Sequence, residues 1–212
     1  MSTPFELLQL PLGPLQTNCY LVADTETRDA VVIDPGAEAP VILAALAERR
    51  WQARAVLLTH AHFDHIGAVA PVVAATGAPL AIHPLELPLL RQGGGAASFS
   101  FDVPACPEPD RLLEPGQPLQ AGSLSFEVLF VPGHTPGHVA FYHAAGGVVL
   151  SGDVLFQQGI GRTDLRGGNY AVLMRSIREV LLALPDDTTV CPGHGEVTTI
   201  GEERRDNPFL AE

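Results

Sequence analysis

Six of the eight histidines, His60, His62, His65, His134, His138 and His194, fall in three short loops, each placed directly after a run of strand-forming residues. The first loop reads Thr59-His-Ala-His-Phe-Asp-His65, the second Pro132-Gly-His-Thr-Pro-Gly-His138 and the third Pro192-Gly-His-Gly195, with Ser151-Gly-Asp153 between the last two. Residues two apart on extended backbone face the same way, so His60 and His62 can converge on one metal ion. Asp64 and His65, displaced by the turn into the next helix, point elsewhere and can serve a second. Imidazole and carboxylate donors without thiolates suit Zn, Mn or Fe. A single histidine at a strand end would be read as an ordinary polar loop residue. Here chance would have to place His, His, Asp and His within six residues and then supply two Gly-His loops and a Gly-Asp loop, so we read a metal centre.

The elements that must hold these loops are legible from apolar spacing. Residues 5–11, 19–24 and 30–33 read as short strands in an antiparallel meander. A helix is expected over 39–50, with Val41, Leu43 and Leu46 on its apolar side and Arg49 and Arg50 at its C-terminus. A fully apolar strand follows at 53–58, then a helix over 66–76 closed by Gly77, a strand at 80–82 and a helix over 85–92. The Pro- and Gly-rich stretch 93–118 reads as a long surface loop or lid with no role named by its sequence. Strands at 123–131, 139–143 and 148–150, a helix over 171–184 and a strand at 188–191 complete the pattern. Two strand runs, each followed by helices, suggest two packed sheets with helices outside.

The chain has 212 residues, 46% apolar and 17% charged, a composition that supports a sizeable core and excludes global disorder. We expect one domain over 1–212. The net charge is -12 and all 12 basic residues are Arg, so there is no basic face for a phosphate backbone and nucleic acid is not an expected partner. No basic segment precedes an apolar core near Met1, and apolar stretches such as 69–82 are interrupted by Pro71, Thr76, Gly77 and Pro79. Neither a secretion signal nor a membrane span is expected, and the expected location is cytoplasmic. Cys19, Cys106 and Cys191 show no CxxC spacing and read as small buried hydrophobes.

The string His60-Ala-His-Phe-Asp-His65 resembles the H-x-H-x-D-H signature of the metallo-β-lactamase superfamily, and the downstream His, Asp and His loops occur in that superfamily's order. Gly-His-Thr-Pro-Gly-His, Ser-Gly-Asp, Gly-Arg-Thr-Asp and Asn207-Pro-Phe-Leu210 are similar to the glyoxalase II-like, hydroxyacylglutathione hydrolase-like branch. The resemblance implies an α/β fold, the αβ/βα four-layer sandwich of two packed mixed sheets with outer helices and metals at the sheets' edge. It also implies that His60, His62 and His134 bind one divalent ion, that Asp64, His65 and His194 bind the other, and that Asp153 bridges them. Zn is the first expectation, with Fe or Mn as alternatives.

Two cations sharing a water lower its pKa from 15.7 towards ~7, making hydroxide available to attack a carbonyl at neutral pH. The expected reaction is hydrolysis of a 2-hydroxyacyl thioester such as lactoylglutathione, a small-molecule substrate whose thiolate leaves without a protein acid. Asp34, Thr59 and Ser151, each beside a strand end, are candidates to hold ligand imidazoles in one tautomer. His83 and His143 read as structural, and His138 as ordering its loop. Arg162, nine residues after Asp153 in a Gly-rich loop, is the candidate anchor for a substrate carboxylate.

The C-terminal helical region that gives hydroxyacylglutathione hydrolases basic glutathione contacts is not expected here, so the resemblance does not extend to glutathione as the thiol carrier. An alternative is the persulfide dioxygenase-like branch, which uses one Fe(II) held by a facial set, here His60, His134 and Asp153. Against it, Gly195-Glu196 follows His194 where that branch has Asp-Tyr. β-Lactam hydrolysis fits less well, because Asp64-His65 and the Gly-Arg-Thr-Asp loop match the thioesterase-like branch.

Overall fold

The structure, a computed structural model, describes residues 5–211. The chain opens with β1 (Phe5–Leu12), β2 (Thr17–Asp24) and β3 (Asp29–Ile33), paired antiparallel as the alternation of runs and turns predicts. Helix α1 (Ala39–Arg49) then crosses over to β4 (Gln52–Leu57), which lies parallel to β3. Next come α2 (Phe63–Ile66), α3 (Val69–Thr76), β5 (Leu80–Ile82), α4 (Leu87–Arg91) and β6 (Arg111–Leu112). β1 to β6 form one six-stranded sheet in sequence order.

The second half contributes β7 (Pro118–Ala121), β8 (Leu124–Phe130), β9 (Val139–His143), β10 (Val148–Gly152), the hairpin β11 (Leu155–Phe156) and β12 (Gly159–Ile160), α5 (Tyr170–Glu179), β13 (Thr189–Pro192), β14 (Thr198–Thr199) and α6 (Ile200–Asp206). Its six-stranded sheet has the order β14-β13-β10-β9-β8-β7.

Period-two alternation divides each strand between two apolar layers. Tyr20, Val22, Val31, Ile33, Ala55 and Leu57 face Phe126, Val128, Phe141 and Leu150 of the second sheet. Their neighbours Leu21, Ala23, Val32 and Val56 pack under Ile42 and Leu46 of α1 and Val69 and Val72 of α3. Val149 and Ala140 pack under Leu173 and Ile177 of α5 and Ile200 of α6. This is the expected sandwich, with a helix layer on each side and both sheet faces covered, which is why its inner strands read as continuous apolar runs.

Several boundaries differ from expectation for local reasons. In α1 the buried residues are Ala39, Ile42, Ala45 and Leu46, a proper helical stripe, whereas Val41 is exposed. The helix expected over 66–76 starts earlier, at Phe63, and breaks after Ile66. The Ala68 N–H donates to the Pro35 carbonyl instead of continuing the helix, and a Cβ on Gly67 would overlap the Gly36 carbonyl. The helix expected over 171–184 ends at Glu179, and a 3₁₀ turn at Leu181–Ala183 buries Leu181 in the same cluster as Ile177. α6 carries a capping box between Thr199 and Glu202. Its buried Glu203 accepts from Asn207 Nδ2 (2.7 Å) and from the Gln158 N–H (2.8 Å), so the Asn-Pro-Phe-Leu tail holds the β11–β12 hairpin. No helix among the described residues is long and apolar enough to cross a membrane.

Candidate metal centre

β10 and β13 are parallel, and β8 and β10 are both antiparallel to β9. The loops after these three strands, bearing His134, Asp153 and His194, therefore leave the same end of the second sheet. The loop after β4 meets them there: Val139 N–H donates to the Thr59 carbonyl (2.9 Å) and Asn18 N–H to the Gly193 carbonyl (2.7 Å), joining the edges of the two sheets.

At this edge the predicted ligand residues form two triads. Donor atoms of His60, His62 and His134 lie within 4.8 Å of one another, as do those of Asp64, His65 and His194. Asp153 stands between them: Oδ2 is 3.5 Å from His134 Nε2 and 3.7 Å from His194 Nε2, and Oδ1 is 3.4 Å from His65 Nε2.

Outer contacts settle which ring nitrogen faces inward. Asp34, in a left-handed backbone conformation (φ 50°) after β3, accepts the Thr59 N–H (2.8 Å), the Thr59 hydroxyl (2.6 Å) and His65 Nδ1–H (3.0 Å). With its proton given to Asp34, the Thr59 hydroxyl is left to accept from His60 Nδ1 (3.0 Å). His134 Nδ1–H donates to the Arg162 carbonyl (2.7 Å) and His194 Nδ1–H to the Leu15 carbonyl (3.2 Å). Four rings thus turn Nε2 inward. The fifth, His62, turns Nδ1 to within 3.1 Å of His60 Nε2 and 2.8 Å of His134 Nε2.

Three imidazole nitrogens converging at that spacing suit a shared cation. His65 Nε2 and Asp153 Oδ1 are also buried with no hydrogen-bond partner, as ligand atoms would be. The donor set of five imidazoles and two carboxylates fits divalent metals.

Burial and neighbouring imidazoles hold His60 well below its ordinary pKa and His62 at about 4, so both are neutral bases. Burial alone would raise Asp64 and Asp153, but His65 and the other imidazoles outweigh it and keep both ionised. His65 and His194 move the other way: burial lowers them, and the carboxylates of Asp153 and Asp64 more than reverse this.

The sequence reading of Asp34 and Thr59 corresponds to direct contacts with ligand imidazoles. Ser151 requires correction. Its hydroxyl donates to the Leu155 carbonyl (3.1 Å) and touches no ligand imidazole, because the side chain turns under the Asp153 loop. Arg162 lines the cavity, but its guanidinium is engaged by Asp164 through two 2.8 Å contacts.

Other contacts, apart from that of His138, which the sequence reads as ordering its loop, carried no recognisable sequence signal. Thr17 Oγ1 donates to Asp64 Oδ2 (2.9 Å), His138 Nε2 accepts the Asp153 N–H (3.1 Å), and buried Glu86 accepts the N–H of Ala61 and of Gly137. His83 and His143 make local contacts with the Leu85 N–H and the Ser125 carbonyl. All three cysteines are free, and burial raises their thiols, to about 11 for Cys106 and about 12 for Cys191.

Over the triads opens a cavity of about 370 Å³ whose apolar lining is Leu15, Phe63, Phe99, Phe101 and Leu165. Phe63 stacks on Phe101 with centroids 4.9 Å apart and meets Phe99 in a tilted contact at 5.4 Å. The 93–118 stretch therefore has a location at the site: its first part forms an aromatic wall of the cavity.

The profile of the metallo-beta-lactamase superfamily matches residues 12–194. Hydroxyacylglutathione hydrolase GloC of Haemophilus influenzae is 40% identical over 204 residues, spanning 95% of this chain and 96% of that one. The probable metallo-hydrolase YqgX of Bacillus subtilis is 43% identical over 206 residues, with 95% and 96% covered. Among solved structures, BLEG-1 B3 metallo-beta-lactamase superposes with a TM-score of 0.94 at 42% identity, covering 98% of this chain and 100% of that one. TTHA1623 in a di-iron-bound form gives 0.88 at 48% identity over 96% and 100%. ETHE1 from Myxococcus xanthus gives 0.80 at 33% identity over 97% and 84%.

Proposed function

This chain belongs to the metallo-β-lactamase superfamily as a metal-dependent hydrolase, and from that premise we propose that it is a binuclear thioesterase of the glyoxalase II-like branch. The observation that carries the proposal is the pair of donor triads, with ring nitrogens turned inward by outer contacts and Asp153 placed between them. In this reading His60, His62 and His134 hold one ion, Asp64, His65 and His194 hold the other, and Asp153 serves both. Zn is the first choice, and the di-iron form of TTHA1623 supports iron as an alternative. Two such ions would lower the pKa of a shared water towards ~7 and polarise the scissile carbonyl.

The chain's own groups do the rest. Half-buried Asp64 and buried Asp153, both ionised beside the imidazoles, would orient the nucleophilic water as catalytic carboxylates. Phe63, Phe99, Phe101 and Leu165 exclude bulk water from the acyl group, and Arg162 engages a carboxylate on the substrate's non-reacting part. A thiolate needs no protein acid to leave. The name of GloC supports a hydroxyacyl thioester of a small thiol as substrate.

A second reading is a mononuclear Fe(II) persulfide dioxygenase using His60, His134 and Asp153, a set supported by the 3.5 Å approach of Asp153 Oδ2 to His134 Nε2. Asp64→Ala separates the two, since it removes a donor of one triad only. We expect two metal equivalents and thioester hydrolysis in the native protein. The variant should lose one equivalent and at least ~100-fold of turnover. Assays run in parallel on thioester, persulfide with an oxygen electrode, and β-lactam decide the class. Full activity with one iron, or oxygen uptake that survives Asp64→Ala, would sink the thioesterase reading.

A further inference from the structure

Glu86 is a buried carboxylate, 1% exposed, that the mechanism above does not use. It sits at the N-cap of α4 yet makes no capping bond there. Instead its two oxygens reach away from the helix into the gap between two ligand loops: Oε2 accepts the Ala61 N–H (3.0 Å) and Oε1 the Gly137 N–H (2.8 Å). Ala61 lies between His60 and His62, and Gly137 lies between His134 and His138. No ion pair to Glu86 occurs among the described residues.

Gly137 makes the approach possible, since a Cβ there would stand 2.9 Å from Glu86 Cγ, Glu86 Oε1 and His83 Nδ1. Burying an acidic side chain away from water with no cationic partner is unfavourable, so stability by itself does not account for Glu86 here. What a carboxylate supplies is two acceptors at fixed separation, each suited to one backbone N–H.

We propose that Glu86 is a positioning residue that clamps the His60–His62 loop to the His134 loop and thereby sets the spacing of the His60, His62 and His134 triad. The proposal rests on the ligand assignment above. It makes no contact with Asp64, His65 or His194 part of the clamp, so its effect should be confined to one triad.

The test measures Zn affinity by competition with a chelating dye in two backgrounds. Asp64→Asn leaves the His60 triad intact, and His62→Ala leaves the Asp64 triad intact. In the first, Glu86→Gln, which can keep only one of the two bonds, should weaken Zn binding about tenfold, and Glu86→Ala about a hundredfold. Gly137→Ala, which displaces the carboxylate by crowding, should weaken it at least tenfold. In the second background all three should change affinity by less than about twofold. The visible absorption of Co(II) in the Asp64→Asn protein should shift with each substitution, and the metal-free melting temperature of Glu86→Gln reports its folding.

Unchanged affinity in folded Glu86→Gln and Gly137→Ala proteins overturns the proposal while leaving the metal assignment standing. Equal weakening in both backgrounds overturns it too, because that is the mark of general loosening. An Asp64→Asn protein that binds no Zn with Glu86 intact removes the assignment, and the clamp falls with it.

Discussion

Arg162 meets the metal centre through two different parts of itself. Its carbonyl accepts His134 Nδ1–H and so holds that ring's Nε2 towards the cluster, a contact any residue at this position could make. Its guanidinium, with Nε and Nη2 given to Asp164, still has N–H groups available to a substrate carboxylate at the cavity wall. Arg162→Ala removes only the second part. Metal content should stay at the native level, and KM for a thioester bearing carboxylates should rise about tenfold to a hundredfold with kcat nearly kept, since a charged hydrogen bond is worth ~1.5–3 kcal/mol. Steady-state kinetics with carboxylate-bearing and neutral thioesters check this. If both substrates lose equally, the Arg162–Asp164 pair only shapes the loop.

At the scale of elements, the short helix α2 delivers Asp64 and His65, and its position is set by the turn after β3. Gly36 lies against it so closely that a Cβ would overlap the Asp64 carbonyl, and Gly67 makes the reciprocal approach to the Gly36 carbonyl. Neither glycine is needed for a left-handed φ. Each is needed for lack of a side chain, which lets the β3 turn and α2 touch backbone to backbone. Gly36→Ala should push α2 outward, destabilising the protein by ~1–3 kcal/mol and lowering Tm by roughly 2–12 °C. One metal equivalent should be lost as Asp64 and His65 leave the triad. A calorimetric scan together with metal analysis measures both, and a native Tm with two metals retained would show that the turn yields without moving the helix.

For the whole molecule, metal content and pH are linked through the two triads. In the metal-free protein His65 and His194 are raised by the carboxylates, whereas His60 and His62 are lowered. A histidine raised above its unfolded value of ~6.5 contributes stability that is full below that pH and lost as pH rises through its folded value. The depressed Asp64 and Asp153 act oppositely: their contribution is present above the unfolded value of ~3.9 and lost as pH falls through the depressed one. His60 and His62, held below their unfolded value, cost stability as pH falls under ~6.5, so the metal-free protein should be most stable at pH ~6.5 and lose Tm towards both acid and alkaline pH. Metal uptake on the Asp64 side must displace protons from His65 and His194, so loading two ions at pH 7 should release about one to two protons per chain. Asp64→Ala protein should release fewer. Calorimetric titrations in two buffers of different protonation enthalpy count those protons, and equal release by both proteins would contradict this assignment of charge.

The sequence by itself determined most of the strands, the order of the histidine and aspartate loops and the candidate donor residues. Those depend on local periodicity and on side-chain type, both of which are written residue by residue, whereas β6, β7, β11, β12 and β14, two to four residues each, carried no pattern of their own. It also pointed to Asp34 and Thr59, because a polar residue at the end of an apolar strand is a local signal. Only the tertiary structure decided which ring nitrogens face inward. The Leu15 and Arg162 carbonyls that orient His194 and His134 belong to the backbone, which every residue has, and Leu15 acts across 179 positions. Thr17 reaches Asp64 from 47 positions away, and Glu86 reaches Gly137 from 51. Ser151 shows the converse: a suitable side chain beside a strand end was turned by the fold towards the Leu155 carbonyl. Donor chemistry is a property of residue type, whereas orientation is a property of contacts between distant segments, and those form only when the two sheets meet at their shared edge.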